Sequence, residues 1–398
     1  MSKLRAAAAV GTVLLACGCG TTVASQGGAS TTPGAAAAPG VAGLSDANSV
    51  SEAGGTWATV PMGGVGPNLF WQLVRLPASG GQWTLETPPN AATSGAVIVA
   101  GQQGQGAAAE TLDVGIRPSI DLTFTPMVAT SNGGRAWSSL APESGLADVP
   151  DSLAAAPGGE MVALDKNQDV SELTSPGAAN WSSLSSQRAV AATAAGRECG
   201  VTALTATAYT ASSMPLLGAA CGKAGVTGIF AYSAGAWHLA GPALTGPLAA
   251  SLAGQRIQVL RLTRVGGTDA ALLEAGSGPS AVLAAAWTAD SGSHWTVSAV
   301  LKLGGAQPTS ASFGANGATG VTLSNGRAAL IDGPHGAWQP LPTLPPGKSV
   351  TLALPAGQAP EALAANGGNL TISRLAPGAA KWTTAQVLKV PIQYGSSD

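Results

Sequence analysis

The stretch TADSGSHW, Thr288 to Trp295, decides how this chain is read. It spends Asp290, Gly292, His294 and Trp295 close together in a sequence of which only 10% is charged. Such a cluster suits either a reactive site or a tight turn, and the rest of the chain chooses between them. TSNGGRAW, Thr130 to Trp137, repeats the pattern [S/T]-x-[D/N]-x-G-x-x-W, with Asn132 in the place of Asp290 and Gly134 in that of Gly292. Looser copies lead into Trp83, Trp181, Trp237, Trp338 and Trp382. Seven of the ten tryptophans therefore recur, at separations of 54, 44, 56, 58, 43 and 44 residues. These lie near or slightly above the roughly 40–50 residues of a four-stranded propeller blade.

Three of the units align further. Met161 to Trp181, Val321 to Trp338 and Glu361 to Trp382 each show a short apolar strand, then a polar turn containing Asn167, Asn325 or Asn366. A second strand and a Gly-containing turn follow, and the Trp opens another strand. This is a meander with turn chemistry at its corners. GAVIVAG, GIFAYS and AVLAAAW add strand candidates, and no long amphipathic helix stands out after the N-terminal segment.

The paired motif resembles the Asp-box, or bacterial neuraminidase repeat, of sialidase-like β-propellers. The resemblance implies an all-β fold of four-stranded antiparallel blades, seven with six as the alternative, in a domain spanning 51–398. It also implies structural roles for Thr130, Asn132, Gly134 and Trp137, and for Thr288, Asp290, Gly292 and Trp295. The Asn132 or Asp290 side chain accepts backbone N–H groups within the turn, the Gly takes φ > 0, and the Trp packs under the hairpin. The match is specific in two units and only periodic in the other five. The first unit is short, so the ring is expected to close by pairing N-terminal with C-terminal strands.

A sialidase-like fold raises an enzymatic expectation, which the residues oppose. Those enzymes need three Arg to clamp a carboxylate, a Tyr nucleophile beside a Glu, and an Asp acid/base. The chain has Tyr only at positions 209, 232 and 394. Val74-Arg75-Leu76-Pro77 lacks the aromatic residue of the [F/Y]-R-[I/V]-P signature, and nothing in the sequence gathers Arg117, Arg188, Arg256, Arg261 and Arg264. No catalytic residue is assigned. Asp165 to Asp169 with Glu172 looks like half a calcium loop, but it lacks the sixth-position Gly and has Pro176 where a bidentate Glu belongs. A hairpin turn is the better reading. His238, His294 and His335 are not at ligand spacing with Cys or Glu, so no metal and no cofactor is expected.

Charge and the N-terminus bound the setting. A formal net charge of −2 without a Lys/Arg cluster gives no footprint for nucleic acid or anionic lipid headgroups. MSKLRAAAAVGTVLLACGCG carries Lys3 and Arg5, then an apolar run from Ala6 to Ala16, too short for about 30 Å of hydrocarbon. Residues 1–16 are taken as a signal peptide, and Leu14-Leu15-Ala16-Cys17 resembles the lipobox of bacterial lipoproteins, which implies a diacylated Cys17. Residues 17–50, rich in Ala, Gly, Ser and Thr, are taken as a flexible tether. Outside the cytoplasm, Cys199 and Cys221 suit a disulfide, with two buried free thiols as the alternative.

The expected function is a non-enzymatic binding or scaffold module for an envelope or extracellular protein or glycan. It would be monomeric and held to the membrane by its lipid anchor only. A sialidase-like glycoside hydrolase is the alternative; an assembly factor presenting a basic or apolar patch on one face is a third.

Overall fold

The computed structural model describes Leu44 and residues 48–390, apart from 53–54, 64–68, 89–96, 102–111, 117–126, 140–149, 157, 176–180, 211, 245–251, 253, 266 and 315–316. Residues 1–16, Cys17, Arg117 and Tyr394, and nearly all of the 17–50 segment, lie outside the described residues. The strands form seven antiparallel meanders of four strands each. They are blade 1 (48–85), blade 2 (97–139), blade 3 (152–186), blade 4 (201–239), blade 5 (256–297), blade 6 (308–340) and blade 7 (349–389). The seven units read from the tryptophans are these blades. Six of the seven Trp stand at the entrance to a fourth strand, such as Trp295 before Thr296–Val297, and Trp237 lies inside one, Ala236–Leu239.

Consecutive blades pack around a ring, and the first strand of blade 7 packs against blade 1. The core lies between blades. Leu272, Trp287, Phe313 and Ile331 join blades 5 and 6, while Val60, Trp83, Leu363 and Ile372 join blades 7 and 1. Middle strands are covered on both faces, so they read as continuous apolar runs rather than alternating ones; Thr319–Leu323 is buried along its whole length. This explains how a chain so poor in charge folds as strands.

Near the axis, small hydroxyls tie the blades together. Ser152 and Thr207 join blades 3 and 4 at 2.9 Å, and Thr205 of blade 4 donates to the Val259 carbonyl of blade 5. The Leu352 carbonyl of blade 7 accepts from Ser312 of blade 6 and from Ser49 of blade 1. Ser and Thr can satisfy backbone acceptors without taking up the room a longer side chain would need where the inner strands converge.

One feature departs from expectation. Among the described residues no N-terminal strand completes blade 7; blade 1 builds all four strands from 48–85, and its first strand, Asn48–Glu52, instead pairs in parallel with Pro308–Phe313 of blade 6. That strand opens within the stretch assigned to the tether. Blades 3 and 4 are also linked by two short helices, α1 (Gln187–Ala192) and α2 (Ala194–Cys199). Ser186 caps α1 by accepting from Ala189 N at 3.2 Å, Thr193 caps α2 by accepting from Gly196 N at 2.9 Å, and Gly200 ends α2 at φ 64°.

Candidate functional site

The two motif turns have the same internal wiring. In blade 5, Thr288 Oγ1 accepts from Gly292 N at 3.1 Å and donates to Asp290 Oδ1 at 2.7 Å, while His294 N donates to Asp290 Oδ1 at 2.8 Å. In blade 2, Gly134 N, Asn132 Oδ1 and Ala136 N repeat these bonds around Thr130 at 2.9, 3.0 and 2.8 Å. Gly134 and Gly292 sit at φ 88° and 91°, where a side chain is strained. The Asp290 carboxyl is held well below the usual carboxylate range, first by the His294 backbone N–H, then by the Thr288 hydroxyl and the His294 side chain. Both oxygens of Asp290 are engaged within the turn, so its chemistry is local.

The tryptophans do something the sequence reading missed. Trp295 Nε1 donates not to its own hairpin but to the Ala240 carbonyl, just beyond blade 4, at 2.6 Å. Trp338 reaches Ala299 beyond blade 5, and Trp382 reaches Pro342 beyond blade 6, at 2.9 and 3.2 Å. Each indole thus fastens its blade to the preceding one. Trp83 of blade 1 closes the circle: its Nε1 donates to Glu361 Oε2 of blade 7 at 2.6 Å. Gln386 of blade 7 accepts from Trp83 N and donates to Trp83 O, both at 2.8 Å, as a strand partner would. Glu361, 0% exposed, also accepts from Arg374 Nε at 2.8 Å. The ring closes through side chains where strand exchange was expected.

Buried titratable groups also occur on blades 3 to 5, among them Tyr209 at the end of the first strand of blade 4, Val201–Tyr209. On the blade 3 side, Tyr209 is 4% exposed, and burial followed by the charges of Glu172 and Glu160 pushes its phenol above the ordinary range. Burial also raises Glu172, and Glu160 Oε2 is buried without a hydrogen-bond partner among the described residues. On blade 5, Asp269 is 2% exposed and its Oδ1 likewise lacks a partner. Burial lifts Asp269 to about 7, against the opposing effect of Arg264, which faces it across the strand pair. A phenol beside two carboxylates has part of a hydrolase's equipment. The charges acting on it are acidic, with no arginine clamp among them.

Other candidates resolve into turns and braces. Asp165 Oδ1 accepts from Asn167 N and Asp169 N at 2.8 and 2.9 Å, which makes the half calcium loop a hairpin corner. Arg75 stacks 5.4 Å from the Trp57 ring centre and donates to Gly133 O of the blade 2 turn. Tyr232 packs on Trp237 in the outer half of blade 4, ring centres 4.9 Å apart. Cys199 and Cys221 form a disulfide that pins α2 to Pro215–Ala224. No group of three or more His, Cys, Asp or Glu placed to hold a metal occurs among the described residues.

The fold is thus that of a β-propeller, a class that hosts both binding modules and enzymes. No protein-family model matches the chain, and no curated protein matches it. Similar solved structures include YCF48 from Cyanidioschyzon merolae, 12% identical over 80% of this chain and 93% of that one, with a TM-score of 0.47. The six-bladed fucose-binding lectin of Aleuria aurantia is 13% identical over 88% and 96%, with a TM-score of 0.39. The GH74 xyloglucanase of Xanthomonas campestris is 15% identical over 83% of this chain and 52% of that one, at 0.46.

Proposed function

We propose that this chain is an extracytoplasmic lipoprotein, anchored through a diacylated Cys17 and carried on the 17–50 tether, whose propeller binds an envelope or extracellular protein or glycan without turning it over. One observation carries the non-enzymatic part. The fully buried acid, Glu361, is engaged with Trp83 and Arg374 in holding the ring shut, so the best-placed carboxylate–arginine pair works for the fold. The axis is furnished with hydroxyls bonded to backbone, and Leu44 and Ser49 are buried against the inner strands there.

A hydrolase remains the second reading, favoured by Tyr209 beside Glu160 and Glu172. The two separate in one experiment on the purified chain: hydrolysis of aryl sialosides and aryl glycosides, alongside binding to a glycan array and to envelope extracts by crosslinking. Saturable binding without turnover is expected. Turnover that Tyr209→Phe abolishes overturns the binding reading. For the anchor, Cys17→Ala is expected to leave the membrane fraction, and its retention there counts against lipidation.

A further inference from the structure

The first-to-second and third-to-fourth turns of each blade share one face of the ring, the face that carries TADSGSHW. There the seam between blades 3 and 4 sets an aromatic row against two acids. On blade 4, Tyr209 pairs with Pro215 and Tyr232 with Trp237, and the Leu216–Ala231 register puts Pro215 beside Tyr232. These residues therefore stand in one row across the end of the blade. Tyr209 and Trp237 belong to the core between blades 3 and 4, and Tyr232 packs against it, its ring centre 4.9 Å from that of Trp237. On blade 3, Glu172 lies opposite Val162, a member of the same core, and Glu160 precedes Val162 by two positions. Both carboxylates project from the side that faces blade 4, diagonal to one another.

No cation of the chain answers these acids. Among the described residues the Lys and Arg between 151 and 240 are Lys166, Arg188, Arg197 and Lys223, which sit in a turn, the two helices and a strand end at the opposite face. His238 pairs with Ala231 and so faces blade 5. Glu160 Oε2 is buried without a hydrogen-bond partner. Tyr209 is 4% exposed, its hydroxyl forms no hydrogen bond among the described residues, and the charges of Glu172 and Glu160 both act on it. Acceptors thus converge on a place with no donor to meet them, which is costly unless something brings one. Glu160, Glu172 and Tyr232 each keep part of their surface in solvent, so the cluster is reached from outside.

We propose that this seam takes the primary ammonium of a lysine side chain presented by a protein partner. The inference names the partner chemistry of the binding reading above and rests on it. A lysine ammonium brings three N–H donors, and Glu160, Glu172 and the Tyr209 oxygen offer acceptors from separate segments of two blades. Acceptors spread in this way suit a compact charge, whereas a planar guanidinium is matched by both oxygens of one carboxylate. The Tyr232 and Trp237 rings supply a π-surface for the cation and an apolar wall for its methylene stem. A quaternary ammonium would gain the rings but leave Glu160 Oε2 and the Tyr209 hydroxyl unbonded.

The test is a ligand-observed NMR titration of the purified full chain with acetyl-Gly-Lys-Gly amide and with its acetyl-lysine, trimethyl-lysine and arginine counterparts. The lysine peptide should bind at least about tenfold more tightly than the acetyl-lysine one, the scale of a charge-assisted hydrogen bond. Glu160→Gln should weaken it about tenfold and Tyr209→Phe, which keeps the ring, about fivefold. Glu198→Gln, which removes the same charge from an exposed position at the opposite face, should leave it unchanged. Should Glu160→Gln fail to fold by circular dichroism, Glu172→Gln reads the same interaction. Absence of binding, equal binding of the acetyl-lysine peptide, or indifference to the carboxylate variants overturns the proposal. So does tighter binding of the trimethyl-lysine or arginine peptide, or stronger competition by glucosamine, which would assign the seam to another cation or to an amino sugar. Failure of the wider binding reading is read separately, as turnover of aryl glycosides; a chain that neither turns them over nor binds the lysine peptide loses only this site.

Discussion

Trp83 and Glu361, 278 residues apart, share a buried 2.6 Å hydrogen bond that joins the first blade to the last. The other interblade indole bonds end on backbone carbonyls, and this one ends on a carboxylate that also serves Arg374. Removing the acid strands an indole N–H and frees a guanidinium from its partner. Arg374 is half-exposed and regains water, so Glu361→Ala is expected to cost about 1–3 kcal/mol in urea unfolding, the range for leaving a buried donor such as the Trp83 indole N–H unsatisfied. Glu361→Gln retains an acceptor for Trp83 and should cost less. A double-mutant cycle with Trp83→Phe should show coupling; additive effects would mean that the closure does not depend on this pair.

Asp290 and Asn132 occupy the same position in identically wired turns, which makes one the natural control for the other. The Asp290 carboxyl is held below its ordinary value of 3.8 in the folded chain. Its contribution is therefore fully present above the unfolded value and is lost as pH falls toward the folded one. Asp290→Asn should keep the turn, as blade 2 does, and flatten the loss of thermal stability below about pH 4. Asp290→Ala should lower Tm at neutral pH as well. An Asn variant that melts like the Ala variant would show that the charge, rather than the turn geometry, matters.

The seven blades were legible because every unit carries a Trp beside or within its fourth strand, and a strand period of that length has few other uses. What the indoles touch was not legible. Trp295 and Ala240 are 55 residues apart, and no local pattern marks a backbone carbonyl as an acceptor. Ring closure was misjudged for a related reason: the short first unit suggested a missing strand, while Gln386, an ordinary polar residue in sequence, supplies two bonds of the kind a strand would. Tyr209 with Glu160 and Glu172 was hidden likewise, since strands from two blades bring them together.

Asp269 gives a pH response of the opposite sign. Burial raises its carboxyl from 3.8 to about 7, so the folded chain retains a proton that the unfolded chain releases. Stability should fall as pH rises between those two values, by at most about 4 kcal/mol. Asp269→Asn, which is nearly isosteric and cannot ionise, should therefore be more stable than the parent at pH 8, with the gap closing toward pH 4. Urea denaturation of both chains at the two pH values measures this. A gap that stays constant with pH would mean that Asp269 is not held protonated by its surroundings.

Cys199 and Cys221 close a loop with a sequence separation of 22, for which the chain-entropy relation gives about 3 kcal/mol. The bond also has a particular mechanical place. It fastens α2, six residues long, to a strand that pairs with both neighbours in blade 4 and with Arg256 of blade 5. Helices this short do not persist by propensity, so α1 and α2 depend on their caps, on Val190 in the core and on this covalent tie. The Cys199→Ala/Cys221→Ala variant should lose about 3 kcal/mol in urea unfolding. Amide exchange should rise first in 187–200 while the strands of blades 6 and 7 keep their protection. Exchange that rises uniformly around the ring would show that the bond stabilises the propeller as a whole and does not specifically secure the helices that carry Arg188 and Arg197.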